Sequence, residues 1–131
     1  MFSFKYSIKN EDINYGGHVG NERALLFFQF ARIEFFKSLS LDELNIGDGI
    51  GVIQKNAYVE YNKQLFLGDE ISINITDIEL SKSSFNISYE IYKEDTKVIN
   101  GSTLLVCFDY SNQRIKRIPH TFIETIENLK K

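Results

Sequence analysis

The residues able to do chemistry are crowded into one stretch. From Glu11 to Glu22 the chain reads Glu-Asp-Ile-Asn-Tyr-Gly-Gly-His-Val-Gly-Asn-Glu. Asp12 and Glu22 offer carboxylates, His18 an imidazole, and Asn14 and Asn21 amides that both donate and accept. Gly16, Gly17 and Gly20 permit positive φ or close backbone approach, so N–H groups can be turned toward a ligand. That combination suits acid–base chemistry at a carbonyl, with donors for a developing oxyanion and a group that takes a proton from water. Cys107, set among Leu105, Val106 and Phe108, reads instead as a small buried hydrophobe. With two His, one Cys and no paired ligand spacing, neither a metal site nor a cofactor is expected.

Several elements must position this stretch. Phe2, Phe4, Tyr6 and Ile8 alternate with polar residues, the period of a half-buried strand ending near Asn10. After the glycines, Asn21 suits an N-cap and Glu22 the positive end of a helix dipole. No Gly or Pro interrupts the chain from there to Ser38. Ala24, Phe27, Phe28, Ala31 and Phe35 make one apolar sector, while Leu25, Leu26, Phe30, Ile33 and Phe36 extend it, so the helix is expected to be mostly buried. Four strands follow the Gly-Asp-Gly at 47–49: Val52 to Tyr61, Glu70 to Leu80, Ser84 to Tyr92 and Lys97 to Asp109. In the second, Ile71, Ile73 and Ile75 share a parity that Ile78 and Leu80 reverse, which predicts a bulge near Thr76 or Asp77. Thr121 to Leu129 reads as a short terminal helix behind Pro119. One antiparallel sheet wrapped around one long central helix, an α+β hot-dog arrangement, is the simplest way to bury all of it.

Composition agrees with one domain over residues 1–131, because a chain of this size with 43% hydrophobic residues has room for one core only. A net charge of −3 gives no global basic field, so nucleic acid is not an expected partner. The longest apolar run of the aromatic-rich stretch, Ala24 to Phe28, is far below the roughly 20 residues of a membrane span. Met1 to Lys5 lacks the pattern of a secretory signal and Cys107 has no disulfide partner, which predicts a cytoplasmic location.

The segment Glu11 to Asn21, followed by Ala31-Arg32-Ile33-Glu34-Phe35, resembles the opening of the 4-hydroxybenzoyl-CoA thioesterase-like family of hot-dog acyl-CoA thioesterases. Val59-Glu60-Tyr61-Asn62-Lys63, Leu67-Gly68-Asp69-Glu70, Cys107-Phe108-Asp109 and Ile118-Pro119 continue the likeness downstream. The resemblance implies hydrolysis of an acyl-CoA, or of an acyl-carrier-protein thioester, to free acid and thiol. It also implies a homodimer or homotetramer whose active site lies between subunits. One departure stands out. The family usually carries a catalytic Asp three residues before the Gly of Gly-His-Val, and that position here is Asn14, which cannot act as a carboxylate.

The expected catalytic set is therefore Asn14, His18, Glu22 and Asp12. Glu22 would activate water if burial beside Phe and Leu raised its pKa, or would serve only as a helix-dipole carboxylate. Asp12 would be the upstream base or would merely close a turn. His18 would polarise the carbonyl or orient water, and Asn14 would bind the thioester oxygen or water through its amide. Tyr15, Gly16, Gly17, Val19, Asn21 and Lys63 are expected to bind substrate. Tyr15 would stack on the acyl group or cap the core, the N–H groups of Gly17 to Asn21 would meet the oxyanion or a phosphate, and Lys63 would meet the CoA arm. Arg114, Lys116 and Arg117 are either a grip for the 3′-phosphate of CoA or a solvated face. Asn14 in place of Asp keeps a non-catalytic acyl-thioester binding protein open as the alternative. A hot-dog hydratase or dehydratase fits less well, because Asp12 and His18 are poorly spaced for an acid and His pair.

Overall fold

A computed structural model describes residues 1–131. The elements follow the alternation closely: β1 (Phe2–Ser7), α1 (Arg23–Ser38), β2 (Gly51–Tyr61), β3 (Glu70–Leu80), β4 (Ser84–Lys93), β5 (Thr96–Asp109), β6 (Arg114–Ile115) and α2 (His120–Leu129). All strand pairs are antiparallel, in the order β1-β3-β4-β5-β2, with β6 added to β5 beyond the start of β4. The sheet wraps α1, which is the expected hot-dog arrangement. No helix is long and apolar enough to cross a membrane.

The core forms where one face of the sheet meets one sector of α1. Ala24, Phe27, Phe28, Ala31, Phe35 and Phe36 of α1 are buried against Ile73, Ile75, Phe85, Ile87, Tyr89 and Leu105. The Phe28 ring stacks on that of Tyr89 at 4.3 Å, nearly parallel. Gly101 of β5 makes this approach possible, since a Cβ there would meet the Phe28 ring at 3.0 Å and the Tyr58 carbonyl far inside contact distance. α2 closes one end, with Phe122 against Phe36 and Phe85.

Three details differ from the sequence reading. β1 stops at Ser7, and a single 3-10 turn over Asn10–Asp12 follows shortly after. α1 starts at Arg23 with Glu22 as the capping residue and no side-chain cap, so Asn21 does not cap it. Glu22 already has helical φ and ψ, and the Asn21 carbonyl is taken by the Tyr61 hydroxyl. Leu25 and Ile33 are also exposed, leaving α1 buried on one side rather than all round. The β3 bulge falls where its parity breaks, with Thr76 as the extra residue between Ile75 and Asp77. A second bulge, at Lys55 of β2, has no such signal because that strand's apolar pattern is weak.

Cys107 is fully buried on β5, and burial pushes its thiol up to about 12. The folded protein should therefore leave Ellman's reagent unreacted at pH 8 over many minutes, and release one equivalent of chromophore on unfolding in guanidinium. Rapid native reaction would show that β5 opens far more readily than its packing implies.

Candidate active site

The glycine stretch is a compact loop held from beneath by Asp12. This carboxylate is 1% exposed. It accepts hydrogen bonds from the Tyr6 hydroxyl (2.7 Å), the Lys9 N–H (2.9 Å) and Arg23 Nε (2.9 Å), with Arg23 Nη2 at 2.7 Å. Burial, then the hydrogen bond to Asp12, pushes the Tyr6 hydroxyl up to about 12. With its oxygens so engaged inside the protein, Asp12 ties β1, the loop and the start of α1 together.

Above it, Asn14 opens a tight turn. Its Oδ1 accepts from the Gly16 N–H at 2.8 Å, its carbonyl accepts from the Gly17 N–H at 3.1 Å, and its own N–H donates to the His18 carbonyl at 2.8 Å. Gly17 lies at φ +81°, where glycine is favoured. The Asn14 amide and the His18 ring both come within 3.3 Å of where a Gly16 Cβ would stand, so the two side chains flank Gly16. His18 Nδ1 lies 3.0 Å from the Val19 carbonyl, which can only accept, so Nδ1 carries the proton and Nε2 of the neutral ring is left as an acceptor.

His18, Val19 and Asn21 line a cavity of about 320 Å³ together with Tyr61, Lys63 and Leu65. Its floor includes Gly20 and Ile99. Not all of the expected backbone donors are free. The N–H groups of Gly17, Val19 and Gly20 are spent on the carbonyls of Asn14, Leu65 and Asp12, whereas those of Asn21 and Glu22, at the start of α1, have no partner in the protein. These two N–H groups sit at the positive end of the α1 dipole.

Other expected residues fall at various distances from this cavity. Glu22 is exposed rather than buried among Phe and Leu, and its carboxylate folds back over Gly20. Its negative charge, after burial of the ring, raises the Tyr61 hydroxyl. Tyr15 is fully exposed, so it does not cap the core. Lys63 is on the cavity wall. Arg114 opens β6 and Lys116 follows it, and β6 pairs with Phe108 and Asp109, whereas the cavity touches β5 at Ile99. At about 3.3 Å per residue that is roughly 30 Å away within one chain. Sequence reasoning gave Tyr61 no role, although it lies in the quoted Val59 to Lys63 segment. The strand parity could have found it, since Tyr61 pairs with the buried Ile99 and so faces α1.

A helix wrapped by an antiparallel sheet, with a glycine loop at the helix start, defines the hot-dog class. Within it, the profile of the thioesterase-like superfamily matches residues 8–126, and the chain belongs to that superfamily. A protein of Aquifex aeolicus whose name marks it as a suspected esterase is 29% identical over 128 residues, covering 97% of this chain and 98% of its own. The crystal structure of a hypothetical protein from the same organism superposes with a TM-score of 0.88 at 29% identity, over 96% of this chain and 99% of the other. The 1,4-dihydroxy-2-naphthoyl-CoA thioesterase of Synechocystis superposes with a TM-score of 0.87 at 21% identity, over 99% of this chain and 98% of the other.

Replacing Asp12 by Ala should leave Arg23 without its buried partner and cost about 3 kcal/mol of stability. Urea denaturation measures this. A loss below half that figure would mean that the carboxylate is not the anchor described.

Proposed function

We propose that the protein is an acyl-CoA thioesterase, hydrolysing a CoA or acyl-carrier-protein thioester to free acid and thiol. The observation that carries this reading is the cavity lined by His18 and Asn21 at the start of α1, where the Asn21 N–H and that of the following Glu22 have no partner in the protein. The carbonyl oxygen would take hydrogen bonds from these N–H groups, which strengthen as it gains charge. His18 Nε2 would accept a proton from water as the water oxygen bonds to the carbonyl carbon. The carbon–sulfur bond then breaks, and the imidazolium returns its proton to the departing thiolate. Asn14, with Oδ1 held by Gly16, keeps its amide N–H₂ available to hold the water or the carbonyl. Glu22, exposed above Gly20, is assigned a supporting charge rather than the base, and Asp12 a structural role. Tyr15, Gly16, Gly17, Val19 and Lys63 would surround the thioester and its pantetheine arm. Membership of the thioesterase-like superfamily supports this reading, as does the likeness to the 1,4-dihydroxy-2-naphthoyl-CoA thioesterase of Synechocystis.

The second reading, a binding protein without turnover, draws on the same Asn14. An amide whose oxygen is already committed to Gly16 holds the loop well without any chemistry.

Assembly belongs to the proposal. β2 is an 11-residue strand at the sheet edge, hydrogen-bonded on one side only, and Ile53 to Tyr58 are exposed on both faces. Such an edge invites pairing with a second copy. We expect a homodimer or homotetramer by light scattering at micromolar concentration, and a monomer would count against it.

Activity is tested by following free thiol released from acyl-CoAs of several lengths. His18→Asn should lower kcat by ~10²-fold or more, with Glu22→Gln affecting it less. The reverse order would move the base to Glu22. Asn14→Ala should lower turnover with little change in folding, and Asn14→Asp should keep or raise it. A wild-type protein that hydrolyses nothing while Asn14→Asp does would establish the binding reading.

A further inference from the structure

Gly20 to Arg23 form the turn that leads into α1, closed by the Arg23 N–H on the Gly20 carbonyl at 3.0 Å. That bond fixes the first and last peptides of the turn and leaves the central one, between Asn21 and Glu22, unheld. The Asn21 N–H belongs to the first peptide, whose carbonyl is the bonded Gly20 oxygen, so the chain itself fixes this donor. The Glu22 N–H belongs to the central peptide and has no such backbone support. Glu22 already has helical φ and ψ, so its N–H points out of the start of α1 and the Asn21 carbonyl the other way.

No backbone N–H reaches the Asn21 carbonyl. Its partner is the Tyr61 hydroxyl, which arrives from the last residue of β2, 40 positions along the chain. Tyr61 is itself anchored to the sheet. It pairs with the buried Ile99 of β5, and the N–H groups of Asn62 and Lys63 both donate to the Val98 carbonyl, at 2.9 and 3.1 Å. The hydroxyl therefore meets the turn from a fixed point, while Tyr61 and Asn21 both line the candidate cavity. Burial of the ring, and then the charge of Glu22, raise its pKa, so it stays protonated and able to donate.

A trans peptide carries its C=O and N–H on opposite edges of one rigid plane. A bond that fixes the Asn21 carbonyl therefore fixes the direction of the Glu22 N–H. It also polarises the amide, because charge drawn onto the bonded oxygen makes the N–H of the same peptide a stronger donor. Both effects are present before substrate arrives, which is the condition for stabilising charge without reorganisation.

We propose that Tyr61 is a positioning residue, whose hydroxyl acts through the Asn21 carbonyl to aim and strengthen the Glu22 N–H that receives the developing oxyanion. This rests on the thioesterase reading and adds a residue of the sheet edge to a site otherwise built from the glycine loop and the start of α1. Because Tyr61 acts through a peptide and not on the substrate, its loss should appear in turnover and leave ground-state binding in place.

The test is Tyr61→Phe, which keeps the ring and removes only the hydroxyl. In the ligand-free protein labelled with carbon-13 and nitrogen-15, the Asn21 carbonyl carbon should move upfield and the Glu22 amide nitrogen should move with it. On octanoyl-CoA, kcat should fall ~10-fold while KM stays within about twofold. An unchanged kcat, a loss in kcat/KM carried by KM, or an Asn21 carbonyl resonance that does not move overturns the inference while leaving hydrolysis standing. If the wild-type protein hydrolyses no acyl-CoA, the thioesterase reading fails. The ketone analogue of octanoyl-CoA, with a methylene in place of the thioester sulfur, then decides the inference. Its binding should move the Glu22 amide proton downfield in the wild type, and by roughly half as much or less in Tyr61→Phe. Equal shifts in the two proteins, or none in the wild type, overturn it.

Discussion

A buried carboxylate holds the working end of this molecule together. Asp12 gathers a phenol from β1, a backbone N–H from the turn and a guanidinium from the first residue of α1. Arg23 would otherwise be badly placed, a cation at the positive end of a helix dipole. Pairing with Asp12 removes that conflict and fixes the angle at which α1 leaves the loop. The Gly20 N–H also bonds to the Asp12 carbonyl, so the peptide before the free N–H groups of Asn21 and Glu22 cannot swing. Donors that are already aimed need no reorganisation when charge develops in front of them.

A second buried charge, Arg32, sets the other limit of the same helix. Taking a guanidinium out of water is costly unless its hydrogen bonds are replaced, and Glu43, Tyr89 and Thr103 accept from its Nε and Nη1. The arrangement joins α1 to the segment before β2 and to the centre of the sheet. Where Phe28 stacks on Tyr89, Arg32 binds that residue's hydroxyl, so one side chain is held at both its apolar and its polar end.

The sequence displays the fold more clearly than the site. Alternation in β4, unbroken from Phe85 to Ile91, and the parity break in β3 are local patterns, and both survive into the structure. The thioesterase-like superfamily was also visible, carried by the Gly-His-Val loop and the helix behind it. What escaped depends on meetings between particular groups, some close in the chain and some far apart. Asp12 reads as a loop carboxylate until Tyr6 and Arg23 converge on it. The Gly17, Val19 and Gly20 N–H groups read as free until the carbonyls that take them, Leu65 among them, are in place. Asn21 looks like a cap until Tyr61, from the far end of β2, takes its carbonyl. No period or propensity encodes such meetings.

The order of the strands has a bearing on when this site comes into being. β3, β4 and β5 are successive in the chain and adjacent in space, joined by short turns, so their pairing closes small loops. β1 and β2 precede them yet occupy opposite edges, and each must close a much longer loop to dock. The cavity draws on the segment after β1, the last residues of β2 and the first of β5, so it spans both kinds of contact. A chain with only its central hairpins formed has a recognisable sheet but no pocket, and the pocket arrives with the last strands to join.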